Sequence, residues 1–533
     1  MDAGGTQDAS SRMHRTTARN AWRICCGFAI AAMACSRSDG SARPEGSPEY
    51  ELVIGVGGDE FGLQLNRHRI GMYPLNASIC EPLFRLEPPM STEPALASKA
   101  EYRGNGVFRF GLRSGVIFHD GSPLTALGVA ETLVRSVRLR TQLSFMTDSA
   151  IRIVDDTTLD IRPSILNLRL AEQLAHPTYG ITAAGTDPTT TPVCTGPFRF
   201  VEYLPKSHLS VERFDGYWGS KAKVKRLTFR FIPDDNTRAL ALRAGEVDAI
   251  YDVNRGLVQS LRRTAGINVV ASPPGSVLLM YIATHGSPPY TIMADPAVRR
   301  AVAMAIDRKL LAEQVLGGYA AVVATVNPPV TLGSHASNVH GVPYDPAAAQ
   351  RTLDSAGWRK EANGTRRKSG RTLELSLISQ ASAVDRQITE FIQAQLAAAG
   401  IRVKIEQLDP GAFDARLNAG QFDLDIEVPN QNDGNPAFLL ALRWYSKSNV
   451  RSAKFMLAGA RFDSLVTASL ASPRREDAQR FAGAAMHELI DVQSAAIPLA
   501  GLFRIYALRD RVRGFEPHPS RASQWWNTVW IAK

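Results

Sequence analysis

The sequence predicts an α/β protein with mixed sheets, and three observations carry that class. Strand-length segments with period-two alternation, such as "VFRFGLR" (Val107–Arg113) and "FRFVEYL" (Phe198–Leu204), recur along the chain. Between them fall segments with apolar residues three and four apart, bounded by capping residues. The two kinds alternate without strict βαβ repetition, which predicts sheets that are not purely parallel. A chain of 533 residues with 44% hydrophobic and 21% charged content is globular and too long for one core, so about two to four domains are expected.

The elements follow in chain order. From Met13 the sequence runs "MHRTTARNAWRICCGFAIAAMACS": a basic stretch, an apolar run Ile24–Met33, then small residues before Cys35. That run falls short of the ~20 residues that span a bilayer but suits an export signal. Met1 and Met13 are both candidate starts. "AMAC" resembles a bacterial lipobox, in which Cys35 would be lipidated; plain secretion with cleavage nearby is the other reading. Residues 36–49 are rich in Ser, Gly and Pro, as a flexible tether is. The expectation is a leader over 1–35, a tether over 36–49, and an exported body, either periplasmic or membrane-anchored on the periplasmic or extracellular side. Beyond the leader cysteines only Cys80 and Cys194 remain. They are a possible disulfide in an oxidising compartment, or two buried thiols.

Leu52–Val56 reads as a buried strand followed by a Gly-rich turn, and that turn (Gly57–Phe61) spells GGDEF, the signature of cyclic di-GMP cyclases. A cyclase carries the word on a hairpin in mid-domain, after a strand, helices and metal-binding acids. Here only the tether precedes the strand, so the match reads as coincidence.

Further strands are expected at Thr158–Pro163, His208–Phe214, Arg226–Ile232, Val277–Thr284, Leu373–Ile378, Val403–Leu408 and Leu502–Leu508. Helices are expected at Val129–Arg138, Asn236–Gly245, Pro296–Gly317, Pro346–Gly357, Arg386–Gly400 and Arg475–Gln493. Asp295-Pro296 and Asp345-Pro346 read as N-caps with proline in the first turn, and Gly245, Gly317 and Gly400 as stops. The net charge of +10 is diffuse. Its densest run, Arg366–Arg371, lies beside a strand with no interleaved aromatics, which fits a hairpin loop and not a nucleic-acid surface.

Ser78–Pro88 "SICEPLFRLEP", Leu112–Val137, Thr195–Gly219, Arg230–Val253, Pro296–Ala320 and Tyr344–Trp358, in that order, resemble the family 5 extracellular solute-binding proteins, the peptide/nickel group of bacterial ABC importers. Locally these letters read as scaffold. Asp120-Gly121 in "HDGSP" is turn chemistry, and Asp234 offers a capping acceptor. The resemblance implies a two-lobed periplasmic-binding-protein fold of the large type. Lobe I would be 50–80, 193–280 and 506–533, with a subdomain inserted at 81–192; lobe II would be 281–505. The hinge crossings would be "LLMYIAT" and "LFRIYAL". It also implies a monomer that captures a peptide-like solute in a closing cleft and delivers it to permease and ATPase subunits at the inner membrane. The alternatives are a nickel or other metal-chelate carrier, or a chemosensory solute receptor.

Two segments carry the expected ligand contacts. In "MYPLNASIC" (Met72–Cys80), Tyr73 can stack and Asn76 can donate or accept; packing and helix capping are the bland readings. In Glu427–Ser448, peptide-binding members of the family place an aspartate four residues before the proline. That position, counted from Pro436, is Asn432, with Asp433 next to it. Asn430, Asn432 and their neighbours suit an amide- or hydroxyl-bearing solute, while Asp433 either pairs with an ammonium or forms a turn with Gly434. Trp444 and Tyr445 either wall the cleft or belong to the core. "HELID" (His487–Asp491) lacks the second histidine of a zinc protease, and His335 and His340 lack a third ligand. No phosphate-binding loop or nucleophile elbow is present, so no enzyme, cofactor or metal site is expected.

Overall fold

The structure, a computed structural model, describes residues 51–57, 78–138, 146–429, 434–520 and 523–532; Cys35 and the tether lie outside them. Two sheets organise the body from Glu49 onward. The first runs, in spatial order, Ile267–Ala271, Ile505–Arg509, Ala249–Tyr251, Glu51–Val56, Arg226–Phe231, His208–Arg213, Phe198–Leu204. Glu51–Val56 pairs in parallel with Arg226–Phe231 and Ala249–Tyr251, and the outer pairs are antiparallel. Leu52 and Ile54 enter one core while Val53 enters another. A strand covered on both faces has to be apolar at nearly every position, which is why "LVIGV" lacks alternation.

The second sheet runs Ala320–Ala321, Ala496–Leu502, Ser276–Ile282, Leu424–Glu427, Glu374–Gln380, Arg402–Leu408. In its central strand Leu279 and Tyr281 face one core, while Leu278, Met280 and Ile282 face the other. A third unit, a four-stranded antiparallel sheet with helix Ala126–Arg138, has its own core drawn from Leu83 to Ala183.

The chain passes between the two large sheets at Ser272–Gly275 and again at Phe503–Arg504. "LFRIYAL" therefore contains a crossing and is two strands, not one. "LLMYIAT" does not contain one: Ser276–Ile282 is buried throughout inside the second sheet, so that sheet begins five residues before 281. The turn is made by Pro273-Pro274-Gly275. A Cβ on Gly275 would sit 1.5 Å from the Pro519 carbonyl oxygen, so only glycine fits.

Other expectations shift for local reasons. The helix expected over Pro296–Gly317 stops at Ala305, because Ile306 and Asp307 are extended and the Asp307 carboxylate caps a new turn at Leu310 (2.9 Å). The last helix is α-helical over Arg475–His487 and continues as a π turn over Glu488–Val492. Within it His487 pairs with Asp491 (2.7 Å), which also accepts from the backbone N–H groups of His340 and Gly341. The "HELID" side chains thus pin a loop. In the Arg366–Arg371 hairpin Arg366 is buried and satisfied by Asp354 and by the Ala399 and Trp358 carbonyls.

The motifs that carry the family resemblance meet at one carboxylate. Glu81 is fully buried and accepts from Tyr217 Oη (2.7 Å), Trp218 Nε1 (2.8 Å) and Thr195 Oγ1 (3.2 Å). Beside it Cys80 and Cys194 are joined, with Cα atoms 4.9 Å apart and a sequence separation of 114.

Two histidines, His518 buried and His119 half-buried, make stability depend on pH. His119 Nδ1 accepts from the Cys194 N–H (3.3 Å) and Nε2 donates to the Gly196 carbonyl (3.1 Å). His518 likewise accepts from the Ser520 N–H (2.9 Å) and donates to the Leu86 carbonyl (3.0 Å). Burial holds each imidazole neutral, with a pKa lowered to about 4. The unfolded chain takes up these protons near pH 6.5, so stability is present above that pH and is lost as pH falls toward 4. Between pH 7 and pH 4.5 each histidine should remove about 2–3 kcal/mol. Thermal melts at both pH values check this, and H119Q/H518Q should flatten the dependence.

Candidate functional site: the seam between the two sheets

Strand direction locates the site. In the second sheet Ser276 pairs with Leu502, beside both crossings. Leu424–Glu427 runs antiparallel to Ser276–Ile282, hence toward the crossings, and its parallel neighbour Glu374–Gln380 does the same. In the first sheet Tyr251 pairs with Tyr506, next to the second crossing, so Ala249–Tyr251 and its parallel partner Glu51–Val56 also run that way. The carboxyl ends of parallel strands from both sheets therefore face one seam, the place where open α/β sheets bind ligands. Residues 58–77 follow one such end and 430–433 another. They hold Tyr73, Asn76, Asn430, Asn432 and Asp433, all outside the described residues.

The described flank of the second segment meets the chain between Leu86 and Asn167. A Cβ on Gly434 would meet Thr92 Oγ1 at 3.1 Å and Leu86 Cδ1 at 3.2 Å. Asn435 donates to Asn167 Oδ1 (3.1 Å), and His518 reaches the Leu86 carbonyl. Further along the seam the Leu168 N–H donates to the Leu470 carbonyl (2.7 Å), and Arg169 donates to the Pro473 carbonyl (3.3 Å). Glu172, 2% exposed, is gripped by both Arg169 and Arg475. A cavity of about 320 Å³ opens here, lined by Met90, Thr92, Arg169, Glu172, Arg475 and Gln479 among others.

The second lobe's wall is a stack of charge on aromatics. Glu427, the last residue of its strand, pairs with Arg443 at the end of helix Phe438–Arg443. The guanidinium lies 5.2 Å over the Tyr281 ring, which stacks on Trp444 at 5.2 Å and 18°. Trp444 is fully buried, and Tyr445 is nearly so, its hydroxyl within 2.8 Å of Thr467 Oγ1. The structure thus places both behind Tyr281, in the core of the lobe. Below them Asp425 is buried, and desolvation together with the neighbouring Glu427 charge pushes its carboxyl well up, against the pull of Arg443. Above the unfolded carboxylate range such a group favours the unfolded chain as pH rises, so D425N should be more stable than the parent at pH 8 and equal to it at pH 3. Denaturant melts at the two pH values check this.

Arg443, Glu427, Glu172 and Arg475 are the residues that the sequence reading missed. The available signal was "DLDIEV", where Asp423, Asp425 and Glu427 put three acids on one face and apolar residues on the other. Among the described residues no group of three His, Cys, Asp or Glu side chains is placed to hold a metal, and no helix is long and apolar enough to cross a membrane.

Comparison with known proteins supports the same picture. The chain is 30% identical over 347 residues to the glutathione-binding protein GsiB of Pectobacterium atrosepticum, a match covering 63% of this chain and 64% of that protein. Its fold is similar to that of NikA from Brucella suis in complex with Fe(III)-EDTA (TM-score 0.76, 23% identity, 90% of this chain and 99% of that one). It is also similar to DppA from Helicobacter pylori in complex with the peptide STSA (TM-score 0.74, 21% identity, 91% and 99%). These likenesses show a two-lobed binding-protein fold. Residues 91–450 match the model of the bacterial extracellular solute-binding proteins, family 5 middle region, and the chain belongs to that family.

Proposed function

We propose that this chain is the exported substrate-binding component of an ABC importer. It captures a small, peptide-like solute between its lobes, does no chemistry on it, and delivers it to a membrane permease. One observation carries the reading: parallel strands of both lobes end at a single seam, which among the described residues two chain segments cross. Such an arrangement can close over a guest by bending at the crossings, with affinity set by the surplus of ligand contacts over ordering costs. The relative named for glutathione favours a peptide-like solute.

The test is a thermal-shift panel of dipeptides, oligopeptides, glutathione, and nickel with and without histidine. A true ligand at one hundred times its Kd adds about 2.7 kcal/mol to stability, and small-angle scattering should show the particle contract. If no member shifts the melt or the scattering curve, the reading fails. A shift with nickel–histidine alone would favour the metal-chelate alternative. Should the solute be an α-peptide, whose ammonium stands alone at one end, Asp433 is its partner, and D433A should then weaken dipeptide binding about tenfold or more. Mass spectrometry of the mature N-terminus tests lipidation at Cys35.

A further inference from the structure

We propose that Arg443 and Glu427 together grip an intact α-amino-acid head of the solute, its carboxylate on Arg443 and its ammonium on Glu427. The inference rests on the receptor reading above and deepens it by naming the ligand class. Glu427 stands at the seam end of its strand, and Arg443 is brought to it by their ion pair. Glu427 closes the strand that runs toward the crossings, and Arg443 ends the helix that follows the 430–433 segment. Each side chain keeps 16% of its surface exposed, so the pair can be reached. The guanidinium spends one Nη on Glu427, its sole acceptor among the described residues. Its other N–H groups are available to a second carboxylate.

The pair is held rigid for this task. Tyr281 supports the guanidinium from below and is itself stacked on the fully buried Trp444, so little side-chain freedom is left to lose on binding. Charge balance selects the guest. Arg443 and Glu427 present one positive and one negative group. A lone anion or a lone cation would leave one partner facing an unmatched charge in a poorly solvated place. A zwitterion on a single carbon completes an alternating array of four charges. An ordinary α-peptide cannot do this, because its ammonium and carboxylate stand at opposite ends of the molecule. A free amino acid or a γ-glutamyl peptide can.

Titration calorimetry of the full chain tests this with three probes: glutathione, its α-glutamyl isomer, and N-acetylglutathione. Glutathione should bind at least tenfold more tightly than either of the others. The double variant R443Q/E427Q removes both charges at once and leaves no orphan; it should keep a cooperative melt and lose about a hundredfold in affinity for glutathione. Equal affinity for the α- and γ-linked isomers, or a folded double variant with parental affinity, overturns the assignment while leaving the receptor reading intact. If neither the probes nor the wider panel bind the parent protein, both readings fall together.

Discussion

Replacing Glu81 by alanine is expected to cost the fold about 4 kcal/mol. The carboxylate is fully buried and serves Tyr217, Trp218 and Thr195 at once. Its removal strands the buried Tyr217 and Thr195 donors and the half-buried Trp218 indole, and each unpaired buried donor costs about 1–3 kcal/mol. The total is tempered by the desolvation of the carboxylate itself, which is the largest influence on its proton affinity and raises its pKa. Burial and the nearby Glu81 charge push the Tyr217 phenol well up, so it stays protonated and would be left as an unsatisfied donor. E81Q keeps an acceptor and should lose only about 1–2 kcal/mol. Denaturant titration followed by circular dichroism measures both. An alanine variant within 1 kcal/mol of the parent, taken as about the error of such a comparison, would show that the three donors find other partners.

Opening the Cys80–Cys194 link should be of similar size. The bond closes a loop with a sequence separation of 114, and chain entropy alone assigns about 4–5 kcal/mol to a loop of that length. C80S/C194S, or the parent under strong reductant, should melt earlier by an amount in the 2–5 kcal/mol range seen for native disulfides. Cys80 adjoins Glu81, and Cys194 adjoins Thr195. The disulfide and the carboxylate hub therefore fasten the same two strands of chain, and the triple variant should lose less than the sum of its parts. Strict additivity would mean that the two fastenings act independently.

These two features also explain what was legible in the sequence. "SICEPL", "TGPF" and "GYWG" are recognisable because one buried carboxylate needs three donors of fixed geometry, brought from segments more than a hundred residues apart. Caps were legible as well. Asp234, Asp295 and Asp345 each accept the backbone N–H that a first helical turn leaves unpaired. Breaks inside apolar periodicity were not, since Ile306-Asp307 keeps the 3.6-residue pattern while its backbone is extended and Asp307 caps a new turn.

The site was less legible for a different reason. Binding walls are made where strand ends from distant parts of the chain meet, so their members share no local signature. Glu427 and Arg443 become partners only after helix Phe438–Arg443 folds back against its sheet. Trp444 and Tyr445 advertise themselves as aromatics, yet packing places them behind the wall.

The grip of Arg169 and Arg475 on Glu172, with the Leu168–Leu470 and Asn167–Asn435 bonds beside it, bears on how this architecture diversifies. The segment from Leu83 to Ala183 looks like a detachable cassette, with a core of its own and both ends in one lobe. Its outer edge is nevertheless written partly in residues 470–475 of the other lobe. A chimera that exchanges the cassette alone would set a foreign edge against Arg475, whereas exchange together with residues 470–479 keeps the two surfaces matched. Recombination between relatives should therefore tolerate the second junction and reject the first.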